Sequence, residues 1–318
     1  MRVTRVAAID CGTNSIRLLI AEGERGSRDL VDVVRDMEVV RLGQGVDRTG
    51  RFDPVALERT LAATRRYADA CAREGVDAVR FVATSATRDA ANRDEFLDGV
   101  RGILGIAPEV VPGTEEAALS FAGATRTVSA AESSRGQVLV VDLGGGSTEL
   151  VAGEAGTPVA AHSMDVGCVR LTERHVSSDP VGEADREAVR ADVRAALDAA
   201  ERDVPLDGIR TVVGVAGSIT TITALALGLD RYEPARINGA RLELSRVLEA
   251  CARMTALPRE ERAALGFMHP GRVDVIQTGA LVWAEVLARV HARSGVDEVV
   301  TSEHDILDGI ALGLLDRA

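Results

Sequence analysis

Nine residues near the N-terminus, Asp10-Cys-Gly-Thr-Asn-Ser-Ile-Arg-Leu18, return in altered form 132 positions later as Asp142-Leu-Gly-Gly-Gly-Ser-Thr-Glu-Leu150. Asp, Gly, Ser and Leu keep the first, third, sixth and ninth places, and each copy follows an apolar run, Val3–Ile9 or Val138–Val141. An apolar run, a glycine turn and a second apolar run describe two adjacent strands joined by a tight loop. The offset is one domain's worth of chain, so the repeat implies two similar lobes. The 318 residues suit that division.

The rest of the sequence fills out both halves. Ser15–Ala21 and the long stretch Leu30–Leu42 read as further strands of a meander. Asp53-Pro54, an N-cap followed by proline at the first helical position, starts a helix that runs to about Arg73. Val79–Ala83 and Glu109–Val111 read as strands, Asn92–Leu104 as a helix, and Gly113-Thr114 opens another helix with Thr114 as its N-cap. Ser129–Gly136 is the most loop-like segment and marks the boundary. Beyond it, strands are expected at Leu150–Val151, Pro158–Met164, Thr211–Val215 and Glu298–Thr301. Helices are expected near Glu183–Arg202, Ser218–Leu227, Ser245–Thr255, Val273–Arg293 and Ile306–Leu315. Strands paired with helices in both halves indicate an α/β protein.

Composition removes several chemistries. All 37 basic residues are Arg. Without Lys there is no Schiff-base lysine, no Ser-Lys nucleophile pair and no Walker-type phosphate lysine. A formal charge of −12 speaks against general nucleic-acid binding and leaves anionic ligands only where Arg and backbone amides gather. Cys11, Cys71, Cys168 and Cys251 lack C-x-x-C spacing and are expected as buried thiols. Arg2, Arg5 and Asp10 break any apolar signal segment. The charge-free run Thr211–Leu229 holds five Ser or Thr and three Gly and reads as strand, turn and helix rather than a membrane span. The expectation is a soluble cytoplasmic protein.

The loops carry the chemistry. Gly144, Gly145 and Gly146 allow backbone conformations closed to other residues, and successive amides pointing inward form an anion-binding concavity. Ser147 and Thr148 add hydroxyl donors. Asp142 and Glu149 flank that site, where two carboxylates are useful if a cation bridges them to a phosphate, and hard oxygen ligands suit Mg²⁺, with Mn²⁺ as the alternative. Gly12, Thr13, Asn14 and Ser15 after Asp10 offer the same chemistry with fewer glycines. Gly217 and Ser218 follow a buried strand and open a helix, whose N-terminus can also receive phosphate. The competing reading is a set of hairpins that need glycine only for their turns.

These loops resemble the phosphate loops of the actin, sugar-kinase and Hsp70 ATPase superfamily. The whole chain resembles its exopolyphosphatase and guanosine-pentaphosphate phosphatase branch, in the short two-domain form. The matching stretches are DCGTNSIRLLI (10–20), ATSATRDAANRDEF (83–96), GTEEA (113–117), DLGGGSTEL (142–150), GCVRLTE (167–173), GVAGSITTI (214–222) and HPGR (269–272). The resemblance implies two actin-like, ribonuclease H-like lobes with mixed sheets flanked by helices. It puts the N-terminal lobe at 1–128, completed by a returning helix at 304–318, the C-terminal lobe at 129–303, and the active site in the interlobe cleft. It makes Glu116 the catalytic base, leaving Glu115 as a solvated helix acid. Arg88 in Thr-Ser-Ala-Thr-Arg becomes the guanidinium that stabilises the transferring phosphoryl group, and Arg17 and Arg272 contact a nucleotide or a longer phosphate chain.

The function expected is metal-dependent removal of the terminal phosphate of linear inorganic polyphosphate, with Asp10, Asp142 and Glu149 holding the metal. The sister activity, 5′-γ-phosphate hydrolysis of guanosine pentaphosphate, uses the same residues. An actin-like ATP-binding regulatory module is the rival from another class, and a sugar kinase is disfavoured because Glu-Glu-Ala stands where the water-activating base belongs. Family analogy implies a homodimer. Because the sequence stops at Ala318 and is acidic, short polyphosphates are the expected substrates.

Overall fold

β1 (Thr4–Cys11) is apolar on both faces: Ala7, Ile9 and Cys11 belong to one core, Val6 and Ala8 to another. A near-continuous apolar run is what a central strand covered on both sides requires. The computed structural model describes residues 3–129, 136–154 and 156–317, so most of the loop expected at Ser129–Gly136 lies outside the described residues. Contacts divide the chain into two units, Met1–Gly123 with Ile306–Ala318, and Ala124–Asp305.

In the first unit β2 (Ser15–Gly23) returns antiparallel to β1, and β3 (Val31–Val39) pairs antiparallel with β2. After α1 (Val46–Thr49) and α2 (Pro54–Glu74), β4 (Ala78–Ala83) pairs parallel with β1. Next come α3 (Ser85–Asp89), α4 (Arg93–Leu104), β5 (Glu109–Val110), parallel to β4, and α5 (Gly113–Ala124). The sheet order is β3-β2-β1-β4-β5. Asp53 caps α2 by accepting from the amides of Val55 and Ala56, as its Asp-Pro start predicts. Helices α2 and α4 cover the Ala7–Ile9 face with Leu57, Tyr67, Phe96 and Val100, while the chain's last helix covers the Val6–Ala8 face.

The second unit repeats this plan. It holds β6 (Gln137–Leu143), β7 (Thr148–Glu154), β8 (Thr157–Met164), α6 (Cys168–His175), α7 (Glu183–Ala200), β9 (Ile209–Val215) and α8 (Gly217–Leu227). α9 (Pro234–Ile237), β10 (Arg241–Glu243), α10 (Leu244–Ala256), α11 (Arg259–Ala264), α12 (Ile276–Ser294) and β11 (Glu298–Thr301) complete it, and α13 (Ile306–Arg317) returns to the first unit. The order β10-β11-β9-β6-β7-β8, read backwards from β8 to β11, matches β3-β2-β1-β4-β5 strand for strand, with two antiparallel pairs followed by two parallel ones. The 132-residue repeat is therefore one strand–loop–strand element used twice.

Two expectations shift at their ends. β3 stops at Val39 rather than Leu42 because the amides of Val40 and Arg41 both donate to the Asn14 carbonyl, at 3.0 and 2.8 Å, and Arg41 turns with φ 51°. The helix expected from Val273 begins at Ile276, since Pro270–Arg272 form a separate 3₁₀ turn. The charge-free run becomes β9 and α8, and among the described residues no helix is long and apolar enough to cross a membrane. All four cysteines are buried and free.

Candidate active site

Each copy of the repeat closes its turn with the same bond, Gly12 N to Ser15 O and Gly144 N to Ser147 O, both 3.0 Å. The residues before and after the turn are cross-strand partners: Asp10 faces Arg17 in the first unit, and Asp142 faces Glu149 in the second. Arg17 donates to Asp10 Oδ2 from Nη2 at 2.7 Å and from Nε at 3.1 Å. The residue expected to hold metal and the one expected to hold phosphate are thus ion-paired with each other. In the second unit the same two places hold two buried carboxylates, with Glu149 Oε1 accepting from Ser163 Oγ at 2.7 Å.

What occupies the loop carbonyls decides where the amides are available. In the first unit, the Thr13 carbonyl accepts from Gly43 N and the Asn14 carbonyl from Val40 N and Arg41 N. The close approach needs Gly43, where a Cβ would fall 2.3 Å from Thr13 Cγ2. In the second unit, Cys168 N donates to Gly144 O, Val169 N and Arg170 N donate to Gly145 O, and Arg170 Nε donates to Gly146 O. Gly167 permits this, since its Cβ would sit 2.4 Å from Gly145 O. The carbonyls of Thr13, Asn14, Gly144, Gly145 and Gly146 are satisfied, while the amides of Thr13, Asn14, Gly145 and Gly146 donate to nothing among the described residues. Buried or half-buried amides without partners are costly unless a ligand takes them, and successive ones make an anion nest. Thr148 serves differently: its hydroxyl is buried and donates to Val166 O at 2.5 Å.

Sequence reasoning missed both braces. Arg41–Gly45 showed glycines but no periodicity, and the helix at Cys168–His175 is only eight residues long.

Arg88 and Glu116 come together. Arg88, in α3, donates from Nη1 to Glu116 Oε2 at 2.6 Å and to Val111 O at 3.0 Å. Its Nε and Nη2 donate to no group among the described residues. Glu116 is 9% exposed. The helix that carries it starts two residues earlier than its Thr114 N-cap expectation, because the Pro112 carbonyl accepts from the amides of Glu115 and Glu116. Glu115 is exposed, as expected of a solvated helix acid, and its Oε1 also accepts from the buried Arg80 Nη2 at 2.7 Å.

The third loop brings open helix amides and a guanidinium together, an arrangement an anion would fit. α8 starts from Ala216, which has φ 73° and gives no side-chain cap, so its first amides are open. The Arg272 guanidinium lies over Gly217, where a Cβ would fall 2.3 Å from Cζ. Arg272 makes no side-chain hydrogen bond or ion pair among the described residues. Its turn is held by His269, whose Nδ1 accepts from Gly271 N at 3.1 Å. Burial first, and then the nearby Arg272 charge, hold the His269 imidazole below its usual value, which suits a ring nitrogen that accepts. Cys168, hydrogen-bonded to Ser218, is pushed up mainly by burial, so this thiol is a spacer under the loop rather than a nucleophile.

Among the described residues no three His, Cys, Asp or Glu side chains converge to hold a metal by themselves. Asp142 and Glu149 still fit a hard cation: they lie side by side on paired strands, and Mg²⁺ is commonly held by one or two carboxylates with substrate phosphates and water completing the shell.

The model of the Ppx/GppA phosphatase family matches residues 19–314. Exopolyphosphatase 2 of Mycobacterium tuberculosis is 50% identical over 321 aligned positions, covering 99% of each chain. A guanosine-5'-triphosphate,3'-diphosphate pyrophosphatase of Aeromonas hydrophila is 30% identical, over 97% of this chain and 59% of that protein. Among solved structures, the crystal structure of an exopolyphosphatase-like protein superposes with a TM-score of 0.94 at 46% identity, covering 99% of this chain and 98% of the other.

Proposed function

Because the chain belongs to the Ppx/GppA phosphatase family, we propose that it is an exopolyphosphatase, a phosphoric-anhydride hydrolase that removes the terminal phosphate of inorganic polyphosphate. The observation that carries this reading is the pair of phosphate loops whose tip carbonyls, those of Thr13, Asn14, Gly145 and Gly146, are engaged while the amides of the same residues are open. Phosphoryl transfer requires little covalent help from a protein. It requires positioning, and stabilisation of charge spread over the transferring group.

The residues divide that work. The open amides of Thr13, Asn14, Gly145 and Gly146, with the hydroxyls of Ser15 and Ser147, bind phosphate oxygens and fix the end of the chain. Arg88 offers Nε and Nη2 to the transferring group while Nη1 holds Glu116. Glu116 accepts the proton of the attacking water at its carboxylate. Gly217, Ser218 and Arg272 take a phosphate further along the chain. Asp142 and Glu149 would hold Mg²⁺, with Asp10, which pairs with Arg17, as the third acid of the set. When bound, the ion supplies charge neutralisation on the bridging and leaving oxygens.

Hydrolysis of guanosine pentaphosphate is the second reading, favoured by the likeness to the Aeromonas enzyme. A cytoplasmic homodimer belongs to the same proposal by analogy with the family. Phosphate release from polyphosphate, guanosine pentaphosphate and ATP, each with Mg²⁺ and with chelator, tests these readings. Turnover of polyphosphate supports the first, and turnover of guanosine pentaphosphate alone supports the second. Tight ATP binding without release from any of the three would make the chain a nucleotide-binding module instead.

A further inference from the structure

Arg80 has no part in the chemistry above, yet it is a charged residue only 4% exposed in β4. It sits on the sheet face covered by α13, where a Cβ on Gly313 would lie 4.0 Å from its Nη1. Its Nε and Nη2 both donate to Glu109 Oε2, at 3.0 and 2.6 Å, and Nη2 also donates to Glu115 Oε1 at 2.7 Å. Two guanidiniums therefore span the short stretch from β5 into α5. Arg80 grips residues 109 and 115, and Arg88 grips Val111 O and Glu116.

Arg80 is buried but Glu109 and Glu115 are about half exposed. Desolvation of the one and solvent screening of the others leave these pairs a weak source of stability, and the best-attested use of such a pair is to specify a register. The register at stake is the first turn of α5. Neighbouring helical side chains point about 100° apart, so a small rotation there carries Glu116 away from Arg88. One turn beyond Glu115, α5 closes against α13 by backbone contact, where a Cβ on Gly309 would fall 1.9 Å from Leu119 O. The first turn itself is tied through Glu115 to Arg80 and through Glu116 to Arg88.

We propose that Arg80 is a positioning residue for the reaction: through Glu115 it sets the rotation of α5 and so aims Glu116 at the attacking water. This rests on Glu116 being the general base. Neither Arg80 nor Glu115 is assigned a contact with substrate.

A double-mutant cycle tests it on the full chain. In Arg80→Met, kcat for phosphate release should fall about ten- to hundredfold, the cost of misplacing a catalytic group by roughly an ångström, with KM within about twofold. Arg80→Lys should restore part of the loss. Combined with Glu116→Gln, Arg80→Met should cost nothing further, because the group it positions is gone. An equal proportional loss in both backgrounds, or a rise in KM at constant kcat, would overturn the positioning role while leaving the base assignment standing. If Glu116→Gln alone left kcat unchanged, the base assignment would fail first. Should Arg80→Met not fold, Glu115→Gln, which alters a 44% exposed side chain, takes its place in the cycle. It should lower kcat about threefold in the parent and not at all beside Glu116→Gln.

Discussion

Gly217→Ala separates stability from function at the third loop. The φ of Gly217 is not left-handed, so alanine fits the backbone. A glycine-to-alanine change at such a position stabilises by about 0.4–1 kcal/mol, chiefly by restricting the unfolded chain. The added Cβ would meet Arg272 Cζ and Nη2 at 2.3 Å and Nε at 2.4 Å, an overlap no contact survives. What must move is the end of a flexible side chain with no hydrogen-bond partner among the described residues, so displacing it costs the fold little. The position of the guanidinium is what is lost. Hydrogen bonds to charged groups contribute about 1.5–3 kcal/mol, so substrate should bind roughly ten- to hundredfold more weakly. KM for polyphosphate should rise by that factor with kcat near the parent value, and the denaturation midpoint should hold or increase. Steady-state phosphate release at fixed ionic strength, with a denaturant titration in parallel, reads both. Arg272→Ala should match the KM effect, and the double variant should be no worse than either single one. An unchanged KM in Gly217→Ala beside a raised one in Arg272→Ala would refute the reasoning, because the guanidinium would then act from elsewhere.

Glu116→Gln keeps the shape and can still accept from Arg88, but removes the proton acceptor; turnover should fall about 10²–10⁴-fold with KM nearly unchanged, and equal activity would remove Glu116 as base. Asp142→Asn or Glu149→Gln should raise the Mg²⁺ concentration for half-maximal activity, and full activity of the parent in excess chelator would end the metal reading. His269 predicts a pH dependence of stability. Its imidazole binds a proton less readily folded than unfolded, so the stability it contributes is present above the unfolded value near 6.5 and lost as pH falls through and below it. His269→Asn keeps an acceptor for Gly271 N and removes the titration, so between pH 7.5 and 5.5 its denaturation midpoint should drop less than the parent's; parallel curves would contradict the assignment.

Much of this molecule was legible as a string of residues, and the reason is local. β1 and β6 must be covered on both faces, so their apolar runs are unbroken. Their turns need glycine, and α2 announces itself by Asp53-Pro54. Asp10, Asp142 and Glu149 could be singled out because carboxylates beside glycine-rich turns are chemically odd. What could not be read was set by contacts far apart in sequence. Arg80 and Glu115 look like an ordinary strand arginine and an ordinary helix acid until the fold puts them 2.7 Å apart. The bend at Val40–Arg41 exists only because Asn14 O takes two amides, which ends β3 early. α6 escaped notice because eight residues give too short a period, yet its amides take up the carbonyls of Gly144 and Gly145 in the glycine loop.

The two copies of the repeat differ most usefully at one register position. Opposite the aspartate, the first copy has Arg17 and the second has Glu149. The first loop is therefore neutralised within the protein by an ion pair, and the second concentrates negative charge. The cation proposed at Asp142 and Glu149 would offset that charge for a polyanionic substrate, a role the Asp10–Arg17 pair does not call for. Arg88 resolves the same conflict in another way. Its planar guanidinium commits Nη1 to the carboxylate of Glu116 and keeps Nε and Nη2 open, so one side chain can hold an acid and a phosphate at once. An ammonium, a single point charge without a divided edge, could not give both contacts fixed directions. In a chain of net charge −12 whose basic residues are all arginine, that divided geometry would let an anionic substrate sit beside Glu116, the base proposed above.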